Sequence, residues 1–395
     1  MRMATHPTIK LRPKEGRRLR GGAPWVFSNE IVMDAATKAL APGSVVNVQG
    51  DDGIAFGTGY FNAASLIAVR MLDAKADTKI DAAFFATALK RALLRREALY
   101  DAPFYRLVHA EGDGLPGLAI DRFDDLSSVQ VTTAGMEKQM PALLEALNDV
   151  VAPKTVVLRN DTPSRALEGL DSYVRAAKGE MPERISLMEN GVHYFADIGA
   201  GQKTGWYFDQ RDNHAFMAKL AKGRSVLDAY CYAGGFGIAA GKNGATAVTG
   251  IDSSQGALDL AQEAAAVNAV QARFVKADVF EELERLAAAN EKFDVVIADP
   301  PPFVKSRKDL EPGAKAYRKL ARLAAAVTAP NGFVLLASCS HNIAADRFAL
   351  ECAIGISRAN RRGALIRQSG AGADHPVHPM LPETAYLKAL VYALD

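Results

Sequence analysis

From Ser225 onward, apolar runs alternate with helical segments, and this alternation constrains the fold more than any other feature. Five apolar runs each precede a stretch of helical periodicity: 225–229, 247–252, 272–278, 293–299 and 332–338. A strand that is apolar at every position is covered on both faces, as in a parallel sheet. The pattern therefore predicts an α/β fold with a doubly wound sheet.

Two more candidate strands, residues 364–368 and 385–392, follow near the end of the chain. The loop between them is too short to hold a crossover helix, which a parallel connection needs. We therefore expect the sheet to finish with an antiparallel hairpin.

The 395 residues exceed what one hydrophobic core usually organises, so more than one domain is expected. Short strands at 44–48, 54–60 and 66–72 alternate with turns and predict a small β-rich module. A helix at 81–100, strands at 115–121, 127–133 and 155–159, and a helix at 137–150 predict a compact α+β region. The expected domains are 1–77, 78–185 and 186–395.

Composition excludes several classes of protein. The chain has no 18-residue apolar stretch and no apolar segment near Met1, so we expect no membrane partner and a cytoplasmic location. Its three cysteines form no CxxC pair, which argues against a disulfide framework, a zinc site or an iron–sulfur cluster. No metal is predicted.

Positive charge is concentrated in two places, although the net charge is only +2. Residues 1–20 carry a net +6, which leaves −4 for the rest of the chain. A second basic stretch, residues 305–322, contains seven Lys or Arg and two acidic residues. Local patches on a nearly neutral chain indicate contact with a polyanion at defined places. A solvated face is the alternative for either patch alone.

A glycine turn follows the first strand of the predicted sheet, from Asp228 through Gly234 and Gly235. Glycine lets backbone amides approach a ligand where a helix begins. The turn lacks both the G-x-G-x-x-G spacing of dinucleotide sites and the ending of a P-loop.

Acidic residues end the next two strands. Asp252 is placed to accept hydrogen bonds from two ribose hydroxyls, and Asp278 from an adenine amino group, with Val279 and Phe280 as apolar walls. Each acid alone is more often a helix cap or a turn residue. Together with the glycine turn they predict an adenosine site without a phosphate requirement, the arrangement that suits S-adenosylmethionine.

Asp299 and Cys339 follow the last two parallel strands, within Asp-Pro-Pro-Pro-Phe and Ser-Cys-Ser. Ligands of such sheets bind beyond the carboxyl ends of the strands. A carboxylate there can hydrogen-bond a heteroaromatic ring nitrogen and deliver a proton to it. A thiolate that adds to carbon 6 of a pyrimidine makes carbon 5 nucleophilic, which nitrogen methylation does not require. We interpret Cys231 and Cys352 as structural.

The motifs resemble those of the RlmI-type class I methyltransferases, which make 5-methylcytidine in large-subunit ribosomal RNA. The similarity covers nearly the whole chain and rests on uncommon strings: residues 24–28, 59–62, 109–118, 201–205, 209–211, 232–236, 299–301, 338–340 and 374–376. The resemblance implies an N-terminal PUA domain that binds RNA, a middle α+β domain and a Rossmann-like catalytic domain.

The resemblance also implies that Lys203, Asp209 and Arg211 help to close the cofactor site. Tyr230, Tyr232 and Ser253, in the glycine turn and directly after Asp252, complete the predicted cofactor-binding set. Cys339 and Asp299 are the predicted catalytic residues. Asp299, a water or a histidine such as His375 is the candidate base for the carbon-5 proton.

The predicted activity is S-adenosylmethionine-dependent methylation of carbon 5 of a cytidine, with ribosomal RNA, free or partly assembled, as partner. A homodimer is one option for the oligomeric state. A 5-methyluridine enzyme would use the same thiol chemistry, but such enzymes usually carry Cys-Asn-Pro where this chain has Cys339-Ser340-His341. A guanine-N7 enzyme would not need Cys339. A cofactor-binding RNA adaptor without chemistry is the alternative from another class.

Overall fold

The structure is a computed structural model that describes residues 6–199 and 205–395. The chain forms two compact units, and each unit is assembled from separate stretches of sequence. The first unit comprises Met1–Glu183, Ile198–Trp206 and Asp374–Pro382, and the second comprises Arg184–Asp197, Tyr207–Ala373 and Glu383–Asp395.

The first unit begins with a five-stranded sheet. Its elements are β1 (Thr8–Lys10), α1 (Arg17–Arg20), β2 (Trp25–Phe27), α2 (Ala35–Lys38), β3 (Ser44–Gln49), β4 (Ala55–Phe61) and β5 (Ile67–Asp73). The strand order is β1-β3-β4-β5-β2, and only the β1–β3 pair is parallel. The three strands predicted here are β3, β4 and β5.

A second five-stranded sheet completes the first unit. Its elements are α3 (Ala82–Glu97), β6 (Phe104–His109), β7 (Leu118–Phe123), β8 (Leu126–Val131), α4 (Ala134–Lys138), α5 (Met140–Val151), β9 (Thr155–Asn160) and β10 (Tyr173–Lys178). The order is β10-β9-β8-β7-β6. Asp81 caps α3 by accepting a hydrogen bond from the Phe84 amide. Tyr60 of the first sheet packs into the core formed by α3 and the second sheet, so the two sheets share buried surface.

The second unit contains a hairpin and a seven-stranded sheet. Its elements are β11 (Ile185–Glu189), β12 (Val192–Ala196), α6 (Arg211–Ala221), β13 (Ser225–Ala229), α7 (Gly235–Lys242), β14 (Ala247–Asp252), α8 (Gln255–Val267), β15 (Ala272–Lys276), α9 (Val279–Ala288), β16 (Phe293–Ala298), α10 (Leu310–Val327), β17 (Thr328–Ser338), α11 (Ala345–Arg358), β18 (Gly363–Ser369) and β19 (Lys388–Leu394). The sheet order is β15-β14-β13-β16-β17-β19-β18.

This topology confirms the predicted doubly wound sheet. Strands β13 to β17 are parallel, while β19 pairs antiparallel with both β17 and β18. Successive residues of one strand face opposite layers: Val226 packs with Phe236 in one core, and Leu227 packs with Leu320 in the other. The chain order reverses between β13 and β16, where doubly wound sheets form a ligand crevice.

Some predicted boundaries differ from the structure. The helix expected over 137–150 is two helices, α4 and α5, which meet at Gln139 because Pro141 favours the start of a new helix. The strands β1, β2, β6 and β10 and the hairpin β11–β12 were not predicted. No helix among the described residues is long and apolar enough to span a bilayer.

Candidate active site

The turn after β13 has an unusual backbone. Tyr230 and Tyr232 have positive φ angles of 64° and 48°, and Gly234, at 84°, is the N-cap of α7. Left-handed backbone is costly for residues with a Cβ, and such strain is concentrated at functional sites. The turn directs the first amides of α7 toward the crevice beside β13.

A buried charged cluster supports this turn. A Cβ on Gly235 would lie 2.8 Å from the His214 ring, so only glycine fits there. His214 Nδ1 lies 2.6 Å from Glu189 Oε1, and Arg211 Nε lies 3.6 Å from the other oxygen of Glu189. The Tyr194 hydroxyl donates to the Gly235 carbonyl. Glu189 and Tyr194 come from β11 and β12, whose role the sequence did not reveal.

Asp228 lies in β13 and is buried. Its Oδ2 accepts a 2.8 Å hydrogen bond from the Gly237 amide, whereas its Oδ1 has no partner among the described residues. Burial raises the pKa of Asp228 to about 7, although the Gly237 amide opposes the shift. A buried oxygen without a partner is rare in a folded protein and marks a place where a ligand can donate.

The next two predicted acids lie at the ends of β14 and β15. Asp252 accepts hydrogen bonds from the Tyr232 amide through Oδ2 and from the Ser254 amide through Oδ1, so it fixes the glycine turn. Ser253, directly after it, is exposed. Asp278 is exposed and is the N-cap of α9, with Oδ1 accepting from two amides of that helix.

The two predicted apolar walls lie in different environments. Val279 is buried in the core of the second unit, whereas Phe280 is partly buried, with its ring 5.8 Å from that of Phe303. Carboxylate oxygens accept more than one hydrogen bond, so the caps and turns made by Asp252 and Asp278 leave acceptor capacity.

Asp209 and Arg211 flank the start of α6. Asp209 is buried, and its Oδ2 accepts a hydrogen bond from the Tyr386 hydroxyl. Arg211 is buried with its guanidinium 5.3 Å from the Phe208 ring centroid. Lys203, the third residue that the resemblance implied, lies outside the described residues.

A chain of amide hydrogen bonds holds Asp299, which follows β16. Gln210 Nε2 donates to Asp299 Oδ2 at 2.8 Å, and Asn213 Nδ2 donates to Gln210 Oε1 at 2.7 Å. Ser369 donates to Asn213 Oδ1. Each hydrogen bond in this series is donated in the direction of Asp299, so Asp299 Oδ2 is held as an acceptor. Gln210 and Asn213 are additions to the predicted site.

The two serines around Cys339 turn inward. Ser338 and Ser340 are buried, and each hydroxyl lies 2.8 Å from the Tyr317 hydroxyl. Ser340 Oγ also accepts from the Val304 amide, which links this turn to the segment after Asp299. Cys339 is half-buried, unlike its neighbours. The flanking serines therefore fix the backbone on either side of Cys339.

Tyr207 connects the parts of this site. Burial raises its pKa, and Tyr232, Asp299, Asp209 and Cys339 each raise it further. The glycine turn and both predicted catalytic residues therefore lie within electrostatic range of one phenol. The rings of Tyr207 and Tyr232 form a T-shaped pair, with centroids 5.3 Å apart. Neither periodicity nor spacing could have indicated Tyr207.

Cys231, Cys352 and His375 lie in environments that differ from that of Cys339. Cys231 and Cys352 are buried, and burial raises the pKa of both thiols. His375, a candidate base, is buried in the first unit, with Nδ1 2.9 Å from Asp374 Oδ1 and its ring against His109.

Comparison with known families identifies the chain. A family model described as S-adenosylmethionine-dependent methyltransferase matches residues 105–392, and a PUA-like domain model matches residues 9–74. A "Ribosomal RNA large subunit methyltransferase I" from Shewanella denitrificans is 37% identical over 97% of this chain and 98% of its own length. The protein of the same name from Photobacterium profundum is 37% identical over 94% of this chain and 95% of its own.

The chain belongs to the RlmI-type S-adenosylmethionine-dependent methyltransferases. The predicted family is thus confirmed, and so are S-adenosylmethionine as cofactor and the PUA-like N-terminal region.

Solved structures share the fold of this methyltransferase. A protein from Streptococcus mutans assigned to the SAM-dependent methyltransferases aligns with a TM-score of 0.82 at 21% identity, over 98% of this chain and all of that one. A second methyltransferase chain, complexed with SAH, aligns with a TM-score of 0.84 at 20% identity over the same shares.

The residues beside β13 fit an S-adenosylmethionine molecule. Asp228 Oδ1 offers a buried acceptor that no residue of the described structure satisfies, which suits a positively charged or hydrogen-bond-donating group. Asp252 and Asp278 offer carboxylate oxygens at the ends of the neighbouring strands. No described group of three or more His, Cys, Asp or Glu residues could hold a metal ion.

Proposed function

We propose that this methyltransferase adds a methyl group to carbon 5 of a cytidine in large-subunit ribosomal RNA, through a covalent adduct with Cys339. One observation carries the proposal: Cys339 and Asp299 follow neighbouring parallel strands, and the serines beside that thiol anchor it next to the segment after Asp299. The names of the relatives support ribosomal RNA as the substrate.

The thiol is needed to activate a ring carbon, because methylation of a nitrogen does not require such activation. Carbon 5 of cytosine is a weak nucleophile, and addition of the Cys339 thiolate to carbon 6 moves electron density onto carbon 5. Asp299 in its protonated form donates to nitrogen 3 of the base and transfers its proton there, while Gln210 donates to the other carboxyl oxygen. S-Adenosylmethionine supplies an electrophilic methyl group, which carbon 5 accepts. Loss of the carbon-5 proton to a base restores the 5,6 double bond and expels the thiolate, and nitrogen 3 returns its proton to Asp299.

The cofactor is held by residues around the glycine turn in this proposal. Asp228, Asp252 and Asp278 accept its hydrogen bonds. We assign the remaining contacts to the other predicted residues: Lys203, Asp209, Arg211, Tyr230, Tyr232, Gly234, Gly235, Ser253, Val279, Phe280 and Asp299.

Positive charge near the site supports an RNA substrate. Residues 304–308, which we call the basic loop, follow Asp299 and carry Lys305, Arg307 and Lys308, all exposed. Asn342 Nδ2 donates to the Lys305 carbonyl, so the loop is tied to the segment after Cys339. None of the ion pairs among the described residues includes these three cations, whereas Arg318 pairs with Glu351.

We also propose a cytoplasmic location for the protein and a form for its RNA substrate. None of the three cysteines forms a disulfide, which suits the reducing cytoplasm. The substrate is free or partly assembled ribosomal RNA, in which the target cytidine is unpaired or flipped into the site.

The test is methyl transfer from labelled S-adenosylmethionine to unmodified large-subunit ribosomal RNA, followed by mass analysis of the digested nucleosides. We expect 5-methylcytidine from the wild-type protein and a loss on the order of 10³-fold or more in Cys339→Ala, as for removal of a catalytic nucleophile. Cys352→Ala, outside the site, is the matched control. Product from Cys339→Ala contradicts the covalent route, 5-methyluridine contradicts the assigned base, and cofactor binding without any product favours the adaptor.

A further inference from the structure

Lys388 contacts the turn that holds Cys339. It is the first residue of β19 and lies opposite Ser338, the last residue of β17. Its Nζ donates a 2.6 Å hydrogen bond to the Ser340 carbonyl. Lys388 thus contacts the backbone on both sides of Cys339, and its half-buried ammonium group lies beside the turn that carries this thiol.

Negative charge surrounds the same place. Cys339 and the acids Asp209 and Asp299 all act on Tyr207, so the thiol lies within electrostatic range of two acids, each of which disfavours the thiolate when it is ionised. Among the described residues, Tyr232, Tyr317, His341 and Tyr386 are further titratable groups that face this neighbourhood. A thiolate beside carboxylates is disfavoured unless a cation offsets them.

Lys388 supplies a positive charge here. Burial lowers the pKa of Lys388, and the nearby Cys339 opposes this lowering. The hydrogen bond to the Ser340 carbonyl and the register opposite Ser338 place the ammonium group beside the turn that carries Cys339. A lysine needed only to satisfy the Ser340 carbonyl could be replaced by a neutral donor, without the cost of burying a charge. The placement of a cation at this position therefore points to its effect on the thiol.

We propose that the Lys388 ammonium group stabilises the thiolate form of Cys339, which makes Lys388 a positioning residue for the nucleophile. The inference rests on the proposed role of Cys339 and deepens it. The thiol proton leaves to solvent, Lys388 keeps its own proton, and the sulfur retains the electron pair with which it attacks carbon 6. The ammonium is lost as pH rises through its pKa, so its support for the thiolate is present below that pH and absent above it.

The experiment measures the rate of Cys339 alkylation by iodoacetamide from pH 5.5 to 9.5, with peptide mass spectrometry as the readout. Only the thiolate reacts, so the pH profile gives the pKa of this thiol without RNA or cofactor. In Lys388→Met we expect that pKa to rise by about one unit, the effect of removing one nearby cation, and alkylation at pH 7 to fall about tenfold. Lys388→Arg keeps the charge and should stay within about threefold of wild type.

Internal controls separate this effect from unfolding. Cys231 and Cys352 are buried and should stay unlabelled in every folded variant. Lys388→Gln, which retains a neutral donor for the Ser340 carbonyl, should behave like Lys388→Met and replaces it if the methionine variant does not fold. An unchanged profile in both neutral variants, or the same shift in Lys388→Arg, would overturn the inference. A shifted profile without methylation of RNA would overturn the proposed function alone.

Discussion

Asp228 illustrates how burial changes the chemistry of a residue that the sequence correctly places beside the glycine turn. Its Oδ2 accepts from the Gly237 amide, but its Oδ1 has no partner among the described residues. Burial raises its pKa from the usual range for aspartate to about 7. Without ligand, Asp228 is therefore protonated in mildly acidic solution and ionised above pH 7.

We predict that binding of S-adenosylhomocysteine depends on the ionisation of Asp228. The ligand carries an ammonium group that favours the carboxylate, so binding below pH 7 requires loss of a proton. The Kd should rise roughly tenfold for each pH unit below 7, as one released proton requires. Calorimetry between pH 5.5 and 7.5 measures this dependence. In Asp228→Asn the Kd should be higher at pH 7.5 and nearly constant over this range, and an unchanged slope there would assign the dependence to another group.

The site residues that the sequence predicts are placed by strand topology, whereas those that it misses are placed by contacts between distant side chains. Asp299 and Cys339 were predictable because each follows an apolar strand, and topology alone brings strand ends together. Gln210 contacts Asp299 across 89 positions, and Lys388 contacts Ser340 across 48. Such pairings depend on strand order and side-chain direction, which one sequence does not reveal. The roles assigned to Lys203 and the other cofactor residues stay predictions.

In the two sheets of the first unit, interior strands were predictable and edge strands were not, whereas in the seven-stranded sheet the edge strands β15 and β18 were predicted as well. The strands β13, β14, β16 and β17 overlap predicted apolar runs, since they lie inside that sheet. By contrast, β6 and β10 form the two edges of their sheet. Edge strands carry polar and charged residues, as in the Tyr173–Lys178 segment, so their hydrophobic pattern is weak. The hairpin β11–β12 was missed because it is short and forms a separate two-stranded sheet.

The basic loop, residues 304–308, gives a prediction about RNA binding. Replacing Lys305, Arg307 and Lys308 together by alanine should weaken RNA binding and reduce the slope of log K against log salt by about 2 to 3, if each contacts one phosphate. Filter binding at several salt concentrations measures the slope. The Asn342 side chain donates to the Lys305 backbone carbonyl, a contact that does not require these side chains, so binding of S-adenosylhomocysteine should not change.

A matched variant controls for the loss of three charges. Lys219, Lys222 and Lys242 are exposed and lie in the last turns or at the ends of α6 and α7, away from the carboxyl ends of the strands. Their replacement by alanine should leave the salt slope close to that of the wild-type protein. Equal losses in the two triple variants would show that net charge alone, and not the basic loop, governs RNA binding.

The path of the chain links distant parts of the sequence within the first unit. Residues 374–382 belong to this unit, although β18 and β19, which flank them in sequence, belong to the second. Arg96 donates to the Asp374 carbonyl across 278 positions, and the Arg106 amide donates to Asp374 Oδ2. A Cβ on Gly112 would collide with the Pro376 carbonyl, so this segment packs closely on the unit. The sequence predicted an antiparallel hairpin here, but not where its loop packs.

A buried ion pair anchors this arrangement and gives the last prediction. Arg96 binds Asp113 through two hydrogen bonds of 2.8 and 2.6 Å, and both side chains are almost fully buried. Asp113→Asn leaves the Arg96 charge without its counter-ion, which should destabilise the first unit by about 3–5 kcal/mol. Trp25 and Trp206, the only two tryptophans, both belong to that unit, so tryptophan fluorescence during urea unfolding reports on it specifically.

Two variants make this test specific. Asp125→Asn removes an exposed partner of Lys154 and should leave the unfolding midpoint unchanged, because solvent screens such pairs. Arg96→Met/Asp113→Leu removes both buried charges and should destabilise the unit less than Asp113→Asn alone, since neither charge is left uncompensated. If the single and double variants instead lose the same stability, then lost packing around Arg96, and not the unpaired charge, determines the cost. An unchanged midpoint in Asp113→Asn would show that the ion pair does not anchor the unit.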